Sequence, residues 1–268
     1  MKTIERGLVK TSVGYIHYRA TGAGRPLVLM HVNGSSSTSY MELMEVLPAD
    51  VRAIALDFPN CGFSDHVEQQ LFIADYARVV AEVMDALGIK KASFLGQAMG
   101  CSIATELAIS FPTLVDRIIL MSCPWFESLE TRVRDHAIFF NATQPMDETG
   151  FPLPISLAER LRNDPEHCPM NATQSWADRR NIDVVLAGRH RNSMSIAGDS
   201  YYLPTHLARV ECPVMHIWGE HFKYTQYRDK WEGLVKDYRV AIIEDARLDP
   251  QVDHPNEVCR EVLSFLGS

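Results

Sequence analysis

Five residues, Gly96-Gln97-Ala98-Met99-Gly100, constrain this chain more than any other stretch. The run before them, Lys91 to Leu95, reads as a short buried strand. Cys101 to Phe111 after them has helix-forming composition, with Ile103, Leu107 and Ala108 at helical spacing. A strand that meets a helix across a turn bounded by two glycines must bend sharply. In G-x-S-x-G turns of this kind the bend lifts a serine Oγ above the sheet. Here Ala98 stands at the middle position, and a methyl group can neither attack a carbonyl nor hold a proton.

The rest of the chain alternates strands and helices around that turn. Residues 5–18 alternate weakly about Gly14 and predict an antiparallel hairpin at a sheet edge. Strands are predicted at 26–30, 51–56, 115–121, 213–218 and 239–244. Helices are predicted at 39–47, 74–87 (stopped by Gly88), 224–235 and 256–266. The alternation breaks from Pro124 to about His206, which is rich in Arg, Asn, Asp, Pro and aromatics, among them Trp125, Phe126, Phe139 and Trp176. Such a pattern predicts an α/β fold with a mostly parallel sheet covered on both faces.

On these residues the chain resembles the cap-bearing α/β-hydrolase superfamily, in the manner of its esterases, C–C hydrolases and epoxide hydrolases, over nearly its whole length. Asp57 to Asp65 is similar to that family's D-x-P-G-x-G-x-S-D turn, with Asn60 where glycine is usual. The resemblance implies a core of residues 1–123 and 208–268, and a helical cap, 124–207, inserted after the sixth strand. It implies that the loop from His31 supplies the N–H of Val32 or Asn33, and the elbow that of Met99, to an oxyanion-type pocket. The family's acid sits in a G-x-x-D turn, which here reads Gly219-Glu220-His221-Phe222. Its base precedes the proline of the closing helix by seven residues, which counts back from Pro255 to Leu248. Nucleophile, acid and base positions thus hold Ala98, Phe222 and Leu248, a triad that reads as lost.

Nearby groups offer no single replacement. Glu220, His221, Asp249, Asp253 and His254 lie within a few residues of the emptied positions. His31 reads as a hydrogen-bonded structural histidine and Cys101 as packed core, while His136, His167 and His190 are expected on the surface. His31, Gln97, Trp125, Phe126, Phe139, Trp176 and His221 are the pocket candidates. An apolar floor with residual oxyanion donors suits a small apolar, carbonyl-bearing molecule, and no metal or cofactor is called for. Three readings follow. The first is a non-hydrolytic enzyme of lyase, isomerase or cyclase type; the second is a non-catalytic ligand-binding or regulatory pseudohydrolase. The third is an ester or C–C hydrolase in a Ser-to-Ala98 form.

Charge and cysteine usage narrow the setting. A formal net charge of −8 argues against nucleic acid or an anionic membrane surface as partner. No apolar signal segment follows the first residues and no stretch reaches the length of a membrane span, so a cytoplasmic protein is expected. The six cysteines, scattered without a C-x-x-C pair, read as reduced thiols. A homodimer is left open.

Overall fold

The computed structural model describes residues 2–135 and 145–267. Its strands are β1 (Glu5–Thr11), β2 (Gly14–Thr21), β3 (Arg25–Met30), β4 (Val51–Leu56), β5 (Ala92–Gln97), β6 (Val115–Met121), β7 (Val214–Gly219) and β8 (Tyr238–Ile243). They form one sheet in the order β1-β2-β4-β3-β5-β6-β7-β8. The β1–β2 hairpin and the β2–β4 pair are antiparallel, and the other pairings are parallel.

Side-chain alternation sends successive residues of each strand to opposite faces. Leu27, Leu29, Leu95, Ile119 and Met121 pack on one face with Leu43 and Met44 of helix α1 (Met41–Val46) and with Val258, Val262 and Phe265 of the closing helix Pro255–Leu266. Val28, Met30, Phe94, Ile118 and Leu120 pack on the other with Tyr76, Val80 and Val83 of α2 (Ile73–Ala86) and Ile103 and Leu107 of α3 (Met99–Ser110). All of these are fully or almost fully buried, each contributing roughly 1.5–3 kcal/mol of transfer free energy.

Between β6 and β7 the alternation breaks as predicted. Residues 129–135 are helical, and helices follow at Leu157–Asn163, Gln174–Ala187, Ser193–Gly198 and Leu203–Leu207. Ser156 and Glu159 cap the first of these reciprocally, and Thr173 Oγ1 accepts from the Trp176 N–H at the start of the second. Buried Asp183 anchors the long helix to the loop after β3, accepting from Ser36 Oγ at 2.6 Å and Thr38 Oγ1 at 3.1 Å.

The predicted helix at 224–235 is instead a 3₁₀ run, Thr225–Trp231, followed by turns. Tertiary packing explains it. Trp231 is fully buried, edge-on to Trp125 at 5.0 Å and to His216 at 4.8 Å, and Gly233 follows at positive φ. Among the described residues no helix is long and apolar enough to cross a membrane.

Candidate active site

The parallel strands deliver their C-terminal ends to one rim, the usual place for a ligand in an open α/β sheet. Val32 and Asn33 follow β3, Ala98 follows β5, Ser122 follows β6, Phe222 follows β7, and Leu248 and Asp249 lie in the chain beyond β8. All of them line one cavity of about 660 Å³, whose opposite wall comes from the segment between β6 and β7. The three positions Ala98, Phe222 and Leu248, far apart in sequence, are therefore brought together.

The turn between β5 and α3 is tight. Ala98 sits at φ 47°, ψ −102°, a region that costs a side-chain-bearing residue about 1–3 kcal/mol. A Cβ at Gly96 would lie 2.1 Å from the Gly100 carbonyl oxygen, and one at Gly100 would lie 2.3 Å from that of Met30. Glycine is thus required at both ends of the turn. Met99 opens α3, so its N–H has no acceptor within the helix and is available at the cavity wall. Asn60, in the turn after β4, adopts φ 69°, which makes asparagine a workable substitute for glycine there.

The oxyanion-type positions Val32, Asn33 and Met99 line the cavity, as do Phe126 and Trp176 of the pocket candidates. Phe139 and His136 lie outside the described residues. Four expectations are corrected by position. His31 is buried behind the floor: Nδ1 donates to the Val32 carbonyl at 2.7 Å and Nε2 accepts from the Phe58 N–H at 3.1 Å. Burial holds it neutral, lowering its pKa to about 4, which fits the structural reading of this residue. Gln97 does not reach the cavity but braces Asp249 from below, its Nε2 donating to Oδ1 at 2.6 Å and to the Leu248 carbonyl at 3.0 Å. Trp125 turns away to meet Trp231 edge-on. His221 is exposed on the outside, 3.8 Å from Glu220 and 3.6 Å from Asp245, because the chain between Gly219 and Phe222 reverses and points only the phenylalanine inward.

Two further features depart from expectation. His167 lines the cavity with Asp164, its Nδ1 2.6 Å from the carboxylate, instead of facing solvent. The wall is also not apolar throughout. Arg132, Arg160, Arg180, Arg191 and Lys223 face it, against the acids Asp135, Asp164, Glu166 and Asp249. Arg132 is 6% exposed and lies beside the elbow, donating to Met99 Sδ at 3.1 Å with Asp199 3.6 Å away. Arg180 donates to the Gly34 carbonyl at 3.2 Å. Burial lowers the pKa of Arg160 to about 10, still charged at neutral pH. Asn33 is 7% exposed, and neither atom of its amide has a partner among the described residues. The arginines and the amide left no signal in the sequence, because nothing local marks which residues of an irregular stretch point inward.

Comparison with known proteins agrees with this architecture. A "Serine hydrolase-like protein" of Danio rerio is 33% identical over 114 residues, 42% of this chain and 34% of the relative. A "2-hydroxy-6-oxononadienedioate/2-hydroxy-6-oxononatrienedioate hydrolase" of Paraburkholderia phymatum is 36% identical over 112 residues, 40% of this chain and 39% of the relative. The match thus spans less than half the length of these relatives. Among solved structures, E-2-(acetamidomethylene)succinate hydrolase superposes with a TM-score of 0.81 at 20% identity, covering 99% of this chain and 100% of that one. A hydrolase from Pseudomonas aeruginosa gives a TM-score of 0.79 at 23% identity, covering 98% and 99%. The family model described as "alpha/beta hydrolase fold" matches residues 25–255. The chain belongs to the α/β-hydrolase fold family.

Proposed function

We propose that this cavity takes a small anionic, carbonyl-bearing compound with an apolar body, and that the chain acts on it as a lyase, isomerase or cyclase without a serine nucleophile. The observation that carries this reading is the shared cavity wall of Ala98, Phe222 and Leu248, at the end of an elbow that keeps its strained φ. In this reading the triad is lost while its scaffold is retained, and residues 124–207 act as the cap. The backbone N–H of Met99, with that of Val32 or Asn33, would stabilise negative charge on a carbonyl oxygen, which needs no nucleophile. The arginine-bearing wall supports an anionic ligand, since buried guanidinium groups are matched by planar carboxylates. The partnerless Asn33 amide supports a polar group beside that oxygen. One relative is named for a 2-hydroxy-6-oxo dienedioate, a compound of the same chemical class.

Short-chain p-nitrophenyl esters test the loss of acyl transfer. Wild type and Ala98→Ser are both expected at the buffer rate, because Leu248 supplies no base. The triple variant Ala98→Ser, Phe222→Asp, Leu248→His is expected to rise above it. Hydrolysis well above background by Ala98→Ser alone would overturn the reading in favour of a hydrolase in an alanine form.

A further inference from the structure

The cavity holds one buried carboxyl group that the oxyanion-type floor leaves without a task. Asp249 is 5% exposed, follows Leu248 directly, and lines the same wall as Ala98 and Met99. Side-chain amides fix its orientation. Gln97 Nε2 donates to Oδ1 at 2.6 Å and Gln251 Nε2 at 3.4 Å, while Gln251 also donates to Gln97 Oε1 at 3.2 Å. Oδ2 accepts no hydrogen bond from any described residue. A carboxyl group pinned through one oxygen beside an oxyanion pocket has the arrangement of an acid–base catalyst.

We propose that Asp249 is the acid–base group of this cavity, taking a proton through Oδ2 from the carbon beside the substrate carbonyl and returning it. This rests on the reading of the cavity as a site for small anionic oxo compounds. In the step the C–H bond breaks and its proton passes to Oδ2. The C–H electron pair becomes the enolate C=C, and the carbonyl π pair moves to the oxygen held by the floor N–H groups. Return of the proton to the same or a conjugated carbon restores the carbonyl. Nothing is oxidised or reduced.

The surroundings suit such a group. Burial raises the Asp249 pKa first, and the Gln97 hydrogen bond and the Arg180 charge only partly offset it. Asp253 on its own turn opposes ionisation, and the Tyr40 and Cys168 side chains, themselves held neutral by burial, lie within its field.

The test is deuterium exchange in D₂O, followed by NMR, on a panel of 2-oxo and 2-hydroxy-dienoic mono- and dicarboxylic acids, with binding measured separately by saturation transfer. Wild type should exchange the carbon-bound proton of at least one probe, on a pH profile rising above the ordinary carboxylate range. Asp249→Asn should lose about 10²–10⁴-fold of that rate with binding retained, and Asp249→Glu should recover part of it. Thermal unfolding of each variant shows that the loss is not one of folding, and the wild-type pH profile stands independently of the variants. Exchange unchanged in Asp249→Asn, or lost in His167→Ala instead, would overturn the assignment and leave the cavity reading intact. Probes bound by wild type without exchange would also overturn it. Probes not bound at all would overturn the cavity reading itself.

Discussion

Asp57, directly after β4, is 1% exposed, and its carboxylate accepts from the Ser37 N–H at 2.6 Å and the Phe63 N–H at 2.9 Å with His17 Nδ1 at 2.8 Å. Asp249, in the chain after β8, is almost as buried but receives only side-chain amides. Burial pushes both carboxyl groups up. At Asp57 the donors more than offset it and hold the pKa below the ordinary value, whereas at Asp249 burial wins and the pKa is raised. The difference lies in the donors. At Asp57 the His17 imidazole lowers the pKa most and the Ser37 and Phe63 N–H groups, fixed by the turn, add to it, while the glutamine side chains at Asp249 share their hydrogen bonds among several acceptors. One aspartate has become scaffold and the other has stayed chemically available.

Stability should separate them most sharply. Asp57→Asn turns an amide NH₂ toward groups that donate, and is expected to cost about 3 kcal/mol in urea unfolding. Asp249→Asn keeps an acceptor for Gln97 and buries no charge, and is expected within about 1 kcal/mol of wild type. Linkage gives the signs with pH. Asp57 is depressed in the fold, so its contribution is present above the unfolded carboxylate pKa and lost as pH falls through the folded value. Asp249 is raised, so it favours the fold at low pH and this is lost as pH rises through its folded value. Asp249→Asn should therefore gain on wild type as pH rises. Equal costs for the two variants would break the comparison.

His31 sharpens it from the other side, as a base buried neutral. Its pKa falls from 6.5 unfolded to about 4 folded, so unfolding takes up a proton between these values. The fold is stabilised above pH 6.5, and that part is lost on acidification toward pH 4, by up to roughly 3 kcal/mol. His31→Gln should flatten this limb of the stability–pH curve. An unchanged limb would place the acid sensitivity elsewhere, with buried His216 as the next group to replace, since burial lowers its pKa to about 3.

The scaffold half of this contrast was legible in the sequence and much of the chemical half was not. Strand positions came from short apolar runs, and the elbow and the Asp57 turn from glycine spacing, because backbone geometry leaves its mark on neighbouring residues. The family resemblance also pointed to Ala98, Phe222 and Leu248, which share one cavity wall. It could not orient Gln97 under Asp249 or His221 away from the cavity, since each depends on partners more than 20 residues distant. The helix expected at 224–235 failed for the same reason: the fit of Trp231 between Trp125 and His216 outweighed local helix preference.

The cavity wall supplies the next, smaller effect. Arg132 lies beside Met99 with little solvent around it, so an anionic probe that reaches the floor should feel its charge. Arg132→Gln is expected to weaken binding of a dicarboxylate about tenfold and that of its neutral ester hardly at all, read by titration at two salt concentrations. Equal losses for both would mean that the arginine shapes the wall without recognising charge.

The elbow carries the smallest effect and extends the comparison to a turn whose cost is steric instead of electrostatic. Ala98 holds φ 47° with no nucleophile to justify it, so the strain serves only to keep the Met99 N–H and the start of α3 in place. Ala98→Gly removes a penalty of about 1–3 kcal/mol but frees the unfolded chain by about 0.4–1 kcal/mol. The net should be a gain of roughly 1 kcal/mol, a rise of about 2–4 °C in the unfolding midpoint. Ala98→Ser keeps the Cβ and should leave the midpoint where it is. A fall in Ala98→Gly would show that the surrounding turn, fixed by the Ala98 N–H to Met121 at 3.0 Å and the close approach of Gly100 to Met30, already determines this geometry without strain. The floor would then be as fully braced as the Asp57 turn, and Asp249, on the cavity wall, would be left as the softer of the two aspartate sites.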